Sequence, residues 1–251
     1  MTEDLPEAFF EVHCDLPREG PGDNECTRKA YLMLRDLPEK PRILDVGCGP
    51  GMQTLQLAKL TSGEITALDF HSPYLEQVTK KAEEEGVVDK IKLTKGDMFK
   101  LDFSNGSFDV IWSEGAIYIV GFEKALIEWK RLLSAKGYLV ASHVAWLKPD
   151  PPQDAKQFWQ NNYPSIKTIQ ENLQIAKDSG YKIMNYYTLP KESWFKNYYN
   201  LIEAKLPNLR TKYKNDEKTL SYLSLEQFEI DLFRRYSDYY GYVFFILQVS
   251  D

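Results

Sequence analysis

The chain has 251 residues, 43% of them hydrophobic and 27% charged, which suits one large globular domain and excludes a disordered or low-complexity chain. A fold of this size buries roughly 70–75% of its unfolded surface, so neither disulfides nor a structural metal is needed to hold it. Lysine and arginine total 31 against 37 acids, a formal charge of −6, which argues against a general nucleic-acid binder.

Residues 1–22 mix Pro, Gly and charge without a sustained period and read as an irregular arm. Asp23 or Asn24 then caps a helix whose apolar face is Cys26, Ala30, Met33, Leu34 and Leu37, closed by Pro38. From residue 40 a regular alternation begins. Residues 42–46 form a short apolar strand that runs into a glycine-rich loop, and Leu55, Leu57, Ala58 and Leu60 mark the helix after it. Residues 64–69 are a second strand, followed by a helix that starts at Ser72 and Pro73 and ends at Gly86. Residues 90–94 and 108–113 are strands three and four, the latter preceded by the turn pair Asn105 and Gly106. Residues 122–133 are an amphipathic helix broken by Gly137, and residues 138–144 are strand five. A helix over 168–179, a strand over 181–189, a helical Tyr- and Lys-rich segment over 190–239 and a last strand over 241–249 complete the reading. Strands separated by helices give an α/β fold, a mostly parallel sheet covered on both faces. One domain is expected over residues 1–251: an arm and helix (1–39), a core (40–189), a helical cap insertion (190–239) and a final strand (240–251).

The three cysteines, Cys14, Cys26 and Cys48, offer neither a disulfide framework nor a C-x-x-C metal site, so no metal is expected. The acidic residues 1–6 lack the order of a secretion signal, and uncharged apolar runs such as residues 242–247 fall short of a membrane span. The expectation is a cytoplasmic protein with no nucleic-acid and no membrane partner. Its oligomeric state is left open.

Residues 45–51, DVGCGPG, sit between a strand and a helix at the carboxyl edge of the expected sheet, where open α/β sheets bind ligands. Glycines there let the main chain approach a ligand, and the helix start offers free N–H donors. A dinucleotide fingerprint would need a third glycine where Met52 stands, and no P-loop lysine follows the loop.

The run ILDVGCGPG (43–51) resembles the first motif of class I S-adenosylmethionine (SAM)-dependent methyltransferases. Further stretches match in order: ALD (67–69), KGDM (95–98) and FDVIW (108–112). RLLSAKGY (131–138) resembles the family's Leu-Lys-Pro-Gly-Gly turn but departs from it. The similarity spans residues 40–145. WSEGAIY (112–118) with GFE (121–123) is similar to microbial small-molecule methyltransferases near the quinone-biosynthesis type. The resemblance implies a Rossmann-like seven-stranded sheet with an antiparallel last strand, SAM as methyl donor and a small-molecule acceptor. A SAM-binding sensor or scaffold that transfers nothing is the alternative.

On this resemblance Asp69 takes the ribose hydroxyls and Phe70 packs on the adenine, or belongs to the core. Asp97 takes the adenine amino group with the Met98 N–H beside it. Gly47, Gly49 and Gly51 admit the methionine part, Gln53 or Thr54 reaches its carboxylate or lies on the helix surface, Asp45 orders the loop from below, and Ser113 is a further cofactor-binding residue. Transfer from a sulfonium requires alignment above all, and a base only when the acceptor carries a proton. Base candidates at the strand ends are Glu114, Tyr118 and His143, with His13 of the arm as a further one. The competing readings are positioning SAM or bonding the backbone for Glu114 and a hydrogen-bonded structural histidine for His143. The cap rings Trp194, Phe195, Tyr198, Tyr199, Tyr213 and Tyr222 either line a pocket for a flat or apolar acceptor or form the cap's own core.

Overall fold

A computed structural model describes residues 7–250 of the chain; residues 1–6, with their expected lack of a secretion signal, lie outside the described residues, as does residue 251. Seven strands form one sheet: β1 (Arg42–Val46), β2 (Glu64–Asp69), β3 (Ile91–Lys95), β4 (Phe108–Glu114), β5 (Leu133–Trp146), β6 (Tyr181–Thr188) and β7 (Tyr240–Val249). Their order is β3-β2-β1-β4-β5-β7-β6. All pairs are parallel except β5 with β7 and β6 with β7. The chain runs outward from β1 through β2 to β3, then returns to β4 on the other side of β1. That reversal opens a crevice at the carboxyl ends of β1 and β4.

Strand alternation sorts the core onto two faces. Ile43, Val110, Trp112, Val140, Phe244 and Ile246 point to one face, which is covered by α2 (Asn24–Tyr31), α3 (Met52–Leu60) and the cap. Leu44, Val46, Ile111, Leu139, Ala141, Phe245 and Leu247 point to the other, under α6 (Phe122–Trp129) and α8 (Ile169–Asp178). The remaining core helix, α4 (Ser72–Glu84), carries Pro73 in its first turn and buries Leu75, Val78 and Ala82. Thr168 caps α8 with a reciprocal bond to Glu171, the pattern a Thr-x-x-Glu sequence dictates.

Several elements differ from the sequence reading. The arm is not irregular throughout: Glu7–His13 forms a helix, α1, with Ala8 and Val12 fully buried. α2 ends at Tyr31 rather than Leu37, yet Leu34 stays buried because the chain turns back through bonds to Ala30 and Tyr31. The α6 helix tightens into a 3-10 turn over Lys130–Leu132, and β5 then begins at Leu133, passing an irregularity of pairing with β4 before Tyr138. A short helix, α5 (Ile117–Val120), follows β4, and a further one, α7 (Gln153–Asn162), follows the proline cluster.

The cap comprises α9 (Glu192–Trp194), a wide π-helical turn (Phe195–Tyr199), α10 (Asn200–Lys212) and α11 (Glu217–Tyr236). β6 delivers the chain to the crevice edge and β7 takes it away, so the cap leaves and rejoins the sheet there. Its core is a ring cluster in which Trp194 stacks on Phe233 at 4.0 Å and meets Tyr242 edge-on at 4.8 Å. The arm is laced to this cap. Asp23 caps α2 through the Cys26 N–H and accepts the Ser193 hydroxyl, Asn197 donates to the Gly22 carbonyl, and Lys205 donates to the Val12 carbonyl. Among the described residues no helix is long and apolar enough to cross a membrane.

Candidate functional site

The loop after β1 is held by backbone bonds to β2: the N–H groups of Gly47 and Cys48 both donate to the Leu68 carbonyl, at 2.9 and 3.0 Å. Gly47 has φ +73°, and a Cβ there would stand 2.6 Å from the Ala116 methyl, so only glycine fits. Gly51 (φ +91°) starts α3 hard against Val78, leaving 2.5 Å for a Cβ. Asp69 closes the clamp. One carboxylate oxygen accepts the Gly49 N–H and the other the His71 N–H, each at 2.9 Å. Burial pushes its carboxyl upward, partly offset by those two bonds. Asp45, fully buried beneath the loop, accepts the Thr54 hydroxyl at 2.6 Å, and burial pushes it up to about 7. Gln53 donates to the Cys48 carbonyl at 2.9 Å.

Above the loop is a cavity of about 760 Å³, floored by the ends of β1, β2 and β4 and roofed by α1, the arm after it and the cap. The structure brings Gly47, Gly49, Gln53, Asp69, Phe70, Asp97, Met98, Glu114 and Tyr118 together on its wall. Phe70 is 56% exposed, so it is free to meet a ligand and is not core. Asp97 ends its turn by accepting the Phe99 N–H with one oxygen. Asp45, Gly51, Ser113 and His143 are not among the lining residues. Ser113 instead donates to the Val46 carbonyl, tying β4 to β1.

Two of the expected bases are corrected by this geometry. Glu114 is not free to take a proton: Arg18 donates to one oxygen through Nη1 at 2.8 Å and through Nη2, while Thr27 and Trp112 donate to the other at 2.7 and 2.8 Å. With both side chains almost wholly buried, the pair anchors the arm across the crevice. His143 is 1% exposed and faces away, because the alternation of β5 sends it to the same side as Ala141 and Ala145. It stacks on Phe122 at 4.6 Å, and burial lowers its imidazole to about 4.

The cap rings divide between the two readings. Trp194, Phe195 and Tyr199 belong to the cap's core, Tyr213 bonds Glu11, and Tyr198 lines the cavity, presented by the π-helical turn. Groups that sequence reasoning missed also line the cavity: Arg18, Glu19, Glu226 and Glu229 in the roof, and Tyr74 on α4. His13, read as a residue of an irregular arm, is buried among them. Its Nδ1 lies 3.3 Å from Glu19, its Nε2 3.7 Å from Glu226 and 3.2 Å from the Tyr222 hydroxyl. Burial alone would lower its imidazole, but the bonds and charges of Glu19 and Glu226 overcome that and hold it up at about 9. Tyr222, Glu226 and Glu229 recur at four- and three-residue spacing on α11, a one-face pattern visible in the sequence.

Residues 43–137 match a family model described as a methyltransferase domain. A sterol 24-C-methyltransferase of Gibberella zeae is 29% identical over 131 residues, 51% of this chain and 34% of that protein. A demethylmenaquinone methyltransferase of Lactiplantibacillus plantarum is 30% identical over 142 residues, 55% of this chain and 59% of the relative. The chain thus spans only about a third of the first relative and under two thirds of the second. The fold is similar over nearly its whole length to a SAM-dependent methyltransferase from Geobacter sulfurreducens in complex with S-adenosylhomocysteine, with TM-score 0.80, 21% identity and coverage of 97% and 98% of the two chains. Residues 43–137 thus match a methyltransferase domain, and the fold around them is the one seen in SAM-dependent methyltransferases.

Two outcomes follow from the roof. Arg18→Ala leaves the Glu114 carboxylate buried and unpaired, so chemical denaturation should show a loss of roughly 3–5 kcal/mol, with Arg18→Lys recovering only part of it. His13, raised from 6.5 to about 9, contributes stability that is complete below its unfolded value and disappears as pH rises through about 9. Thermal melts should therefore show the wild type losing several degrees of Tm across that window relative to His13→Gln.

Proposed function

We propose that the protein is a SAM-dependent methyltransferase acting on a small molecule. The observation that carries this reading is the clamp of Asp69 on the glycine loop, set at the mouth of a cavity large enough for two ligands. The residues present suit SAM. Each Asp69 oxygen accepts one backbone N–H, so each keeps a lone pair for a ribose hydroxyl. Gly47 leaves the loop bare where a Cβ would strike Ala116 and come within 3.2 Å of Met98, so the main chain borders the cavity directly. Phe70 offers an exposed ring for the adenine, Asp97 has an oxygen free for its amino group, and the Met98 N–H lies beside it. Gln53 and the start of α3 are placed for the amino-acid end. When bound, SAM supplies a methyl group on a positively charged sulfur that leaves as a neutral sulfide.

The chain's own contribution is positioning. The arm and cap roof the crevice, and the buried Arg18 and Glu114 pair fixes the arm in that place. A volume of about 760 Å³ falls within the range of small-molecule sites, roughly 300–1,000 Å³, and the methyl donor takes a share of it. The rings of Phe9 and Tyr198, both beside His13 in the roof, support a contact with a flat or apolar part of the acceptor. The two relatives' names, a sterol and a demethylated menaquinone methyltransferase, agree with a small-molecule acceptor.

Hydrogen bonds to a charged group contribute roughly 1.5–3 kcal/mol each, so Asp69→Ala should weaken SAM binding at least about tenfold in calorimetry. An unchanged affinity would remove Asp69 from the site.

A further inference from the structure

The charges on the cavity wall are unequal. Among the described lining residues there are six carboxylates, one arginine and no lysine. Arg18 is consumed by Glu114, and Asp69 and Asp97 sit at the end assigned above to the ribose and adenine. Three acids remain in the roof over the acceptor side: Glu19, Glu226 and Glu229. His13 lies between Glu19 and Glu226, its side chain only 7% exposed, and its Nδ1 makes no hydrogen bond of good geometry. One oxygen of Glu19 is likewise buried without a donor. Glu229 accepts from the Tyr199 hydroxyl at 2.8 Å and has no ion-pair partner among the described residues. Three acids thus face one imidazolium, His13, so the roof is short of positive charge, and one Glu19 oxygen still lacks a donor, while Tyr74 and Tyr198 border the same space.

We propose that the methyl acceptor is a small primary or secondary amine, bound as its ammonium ion by Glu226 and Glu229 beneath the rings of Tyr74 and Tyr198. The proposal rests on the methyltransferase reading and names its substrate class. An ammonium supplies the missing positive charge together with N–H donors that the carboxylates can accept, and aromatic faces attract it further. A carboxylate or phosphate acceptor would meet three acids at close quarters, and a neutral phenol or quinol would leave the excess charge uncompensated. The ammonium has no lone pair and must lose a proton before its nitrogen can be methylated. One N–H bond breaks with its electrons staying on nitrogen, and the proton passes to a Glu229 oxygen, giving the neutral acid and the free amine. Burial and the neighbouring Glu226 push the Glu229 carboxyl up to about 7, which suits it to take and return a proton near neutrality. Glu226 stays with His13, whose positive charge acts against the upward push on the Glu229 carboxyl.

The test is a calorimetric titration of the full chain, first with S-adenosylhomocysteine and then, at saturation, with benzylamine, benzyl alcohol and benzoate as probes. The amine should bind at least about tenfold more tightly than the alcohol, and benzoate most weakly. In a Glu226→Gln, Glu229→Gln double variant the amine and the alcohol should come within about threefold of each other, while the affinity for S-adenosylhomocysteine, which reports an intact fold, stays the same. Equal binding of amine and alcohol in the wild type, absence of both included, overturns the proposal, as does a preference for benzoate. Failure of S-adenosylhomocysteine to bind in the first titration would instead overturn the methyltransferase reading itself.

Discussion

A single carboxylate sets the geometry on which the site depends. Asp69 ends β2 and accepts the Gly49 N–H, so the loop after β1 cannot move away from the neighbouring strand. The bonds from Gly47 and Cys48 to the Leu68 carbonyl add to the same clamp. Because β1 and β2 are parallel and in register up to Val46 and Leu68, their ends meet side by side, and the clamp is a direct consequence of that register. Burying an ionisable group in this position costs free energy, which its two backbone bonds offset only in part, so Asp69 is held high. A ligand that brings further donors to it would relieve that cost. The position that fixes the loop is thus also the one best prepared to hold a sugar.

The second constraint closes the site from the other side. Arg18 reaches from the arm to Glu114 at the end of β4, a contact between residues 96 positions apart. A buried ion pair of this kind adds little net stability, but it specifies where the arm lies, since any other placement leaves two charges buried alone. The arm is then stitched to the cap through Asp23, Gly22 and Val12. Floor and roof come from distant parts of the chain, and the cavity exists only where they meet. The proposed chemistry divides along the same line: the floor carries the groups proposed for the methyl donor, and the roof the acids and rings proposed for the acceptor.

Much of the floor was legible in the sequence. Glycines, an Asn-Gly turn and apolar runs mark the strands of the core, and the order of motifs places Gly47, Asp69 and Asp97 at one sheet edge. The roof was not legible, for physical reasons particular to each residue. α1 has seven residues next to a Pro- and Gly-rich stretch, too short for its buried Ala8 and Val12 to stand out as a period. Pro152 stands at the N-cap of α7, where its missing N–H costs the helix nothing, so the prolines before this helix give no sign that it follows. Glu114 is recognisable as a strand-end acid, but nothing near it in sequence announces Arg18. His143 shows that position along a strand is half the information: it lies toward the right end of β5, but the parity of Ala141 and Ala145 puts it on the wrong face. The acids of α11 had a readable spacing; what hid them was that the helix's partner, the arm, was taken as irregular.

The claim most exposed to refutation is that Asp69 and the bare glycine loop together hold the methyl donor. A crystal structure of the protein grown with saturating S-adenosylhomocysteine tests it directly. The account predicts the ribose diol on the Asp69 carboxylate, the adenine beside Phe70 and Asp97, and the amino-acid end along Gly47 to Gly49. A cavity without ligand under those conditions, or a ribose bound away from Asp69, would contradict it.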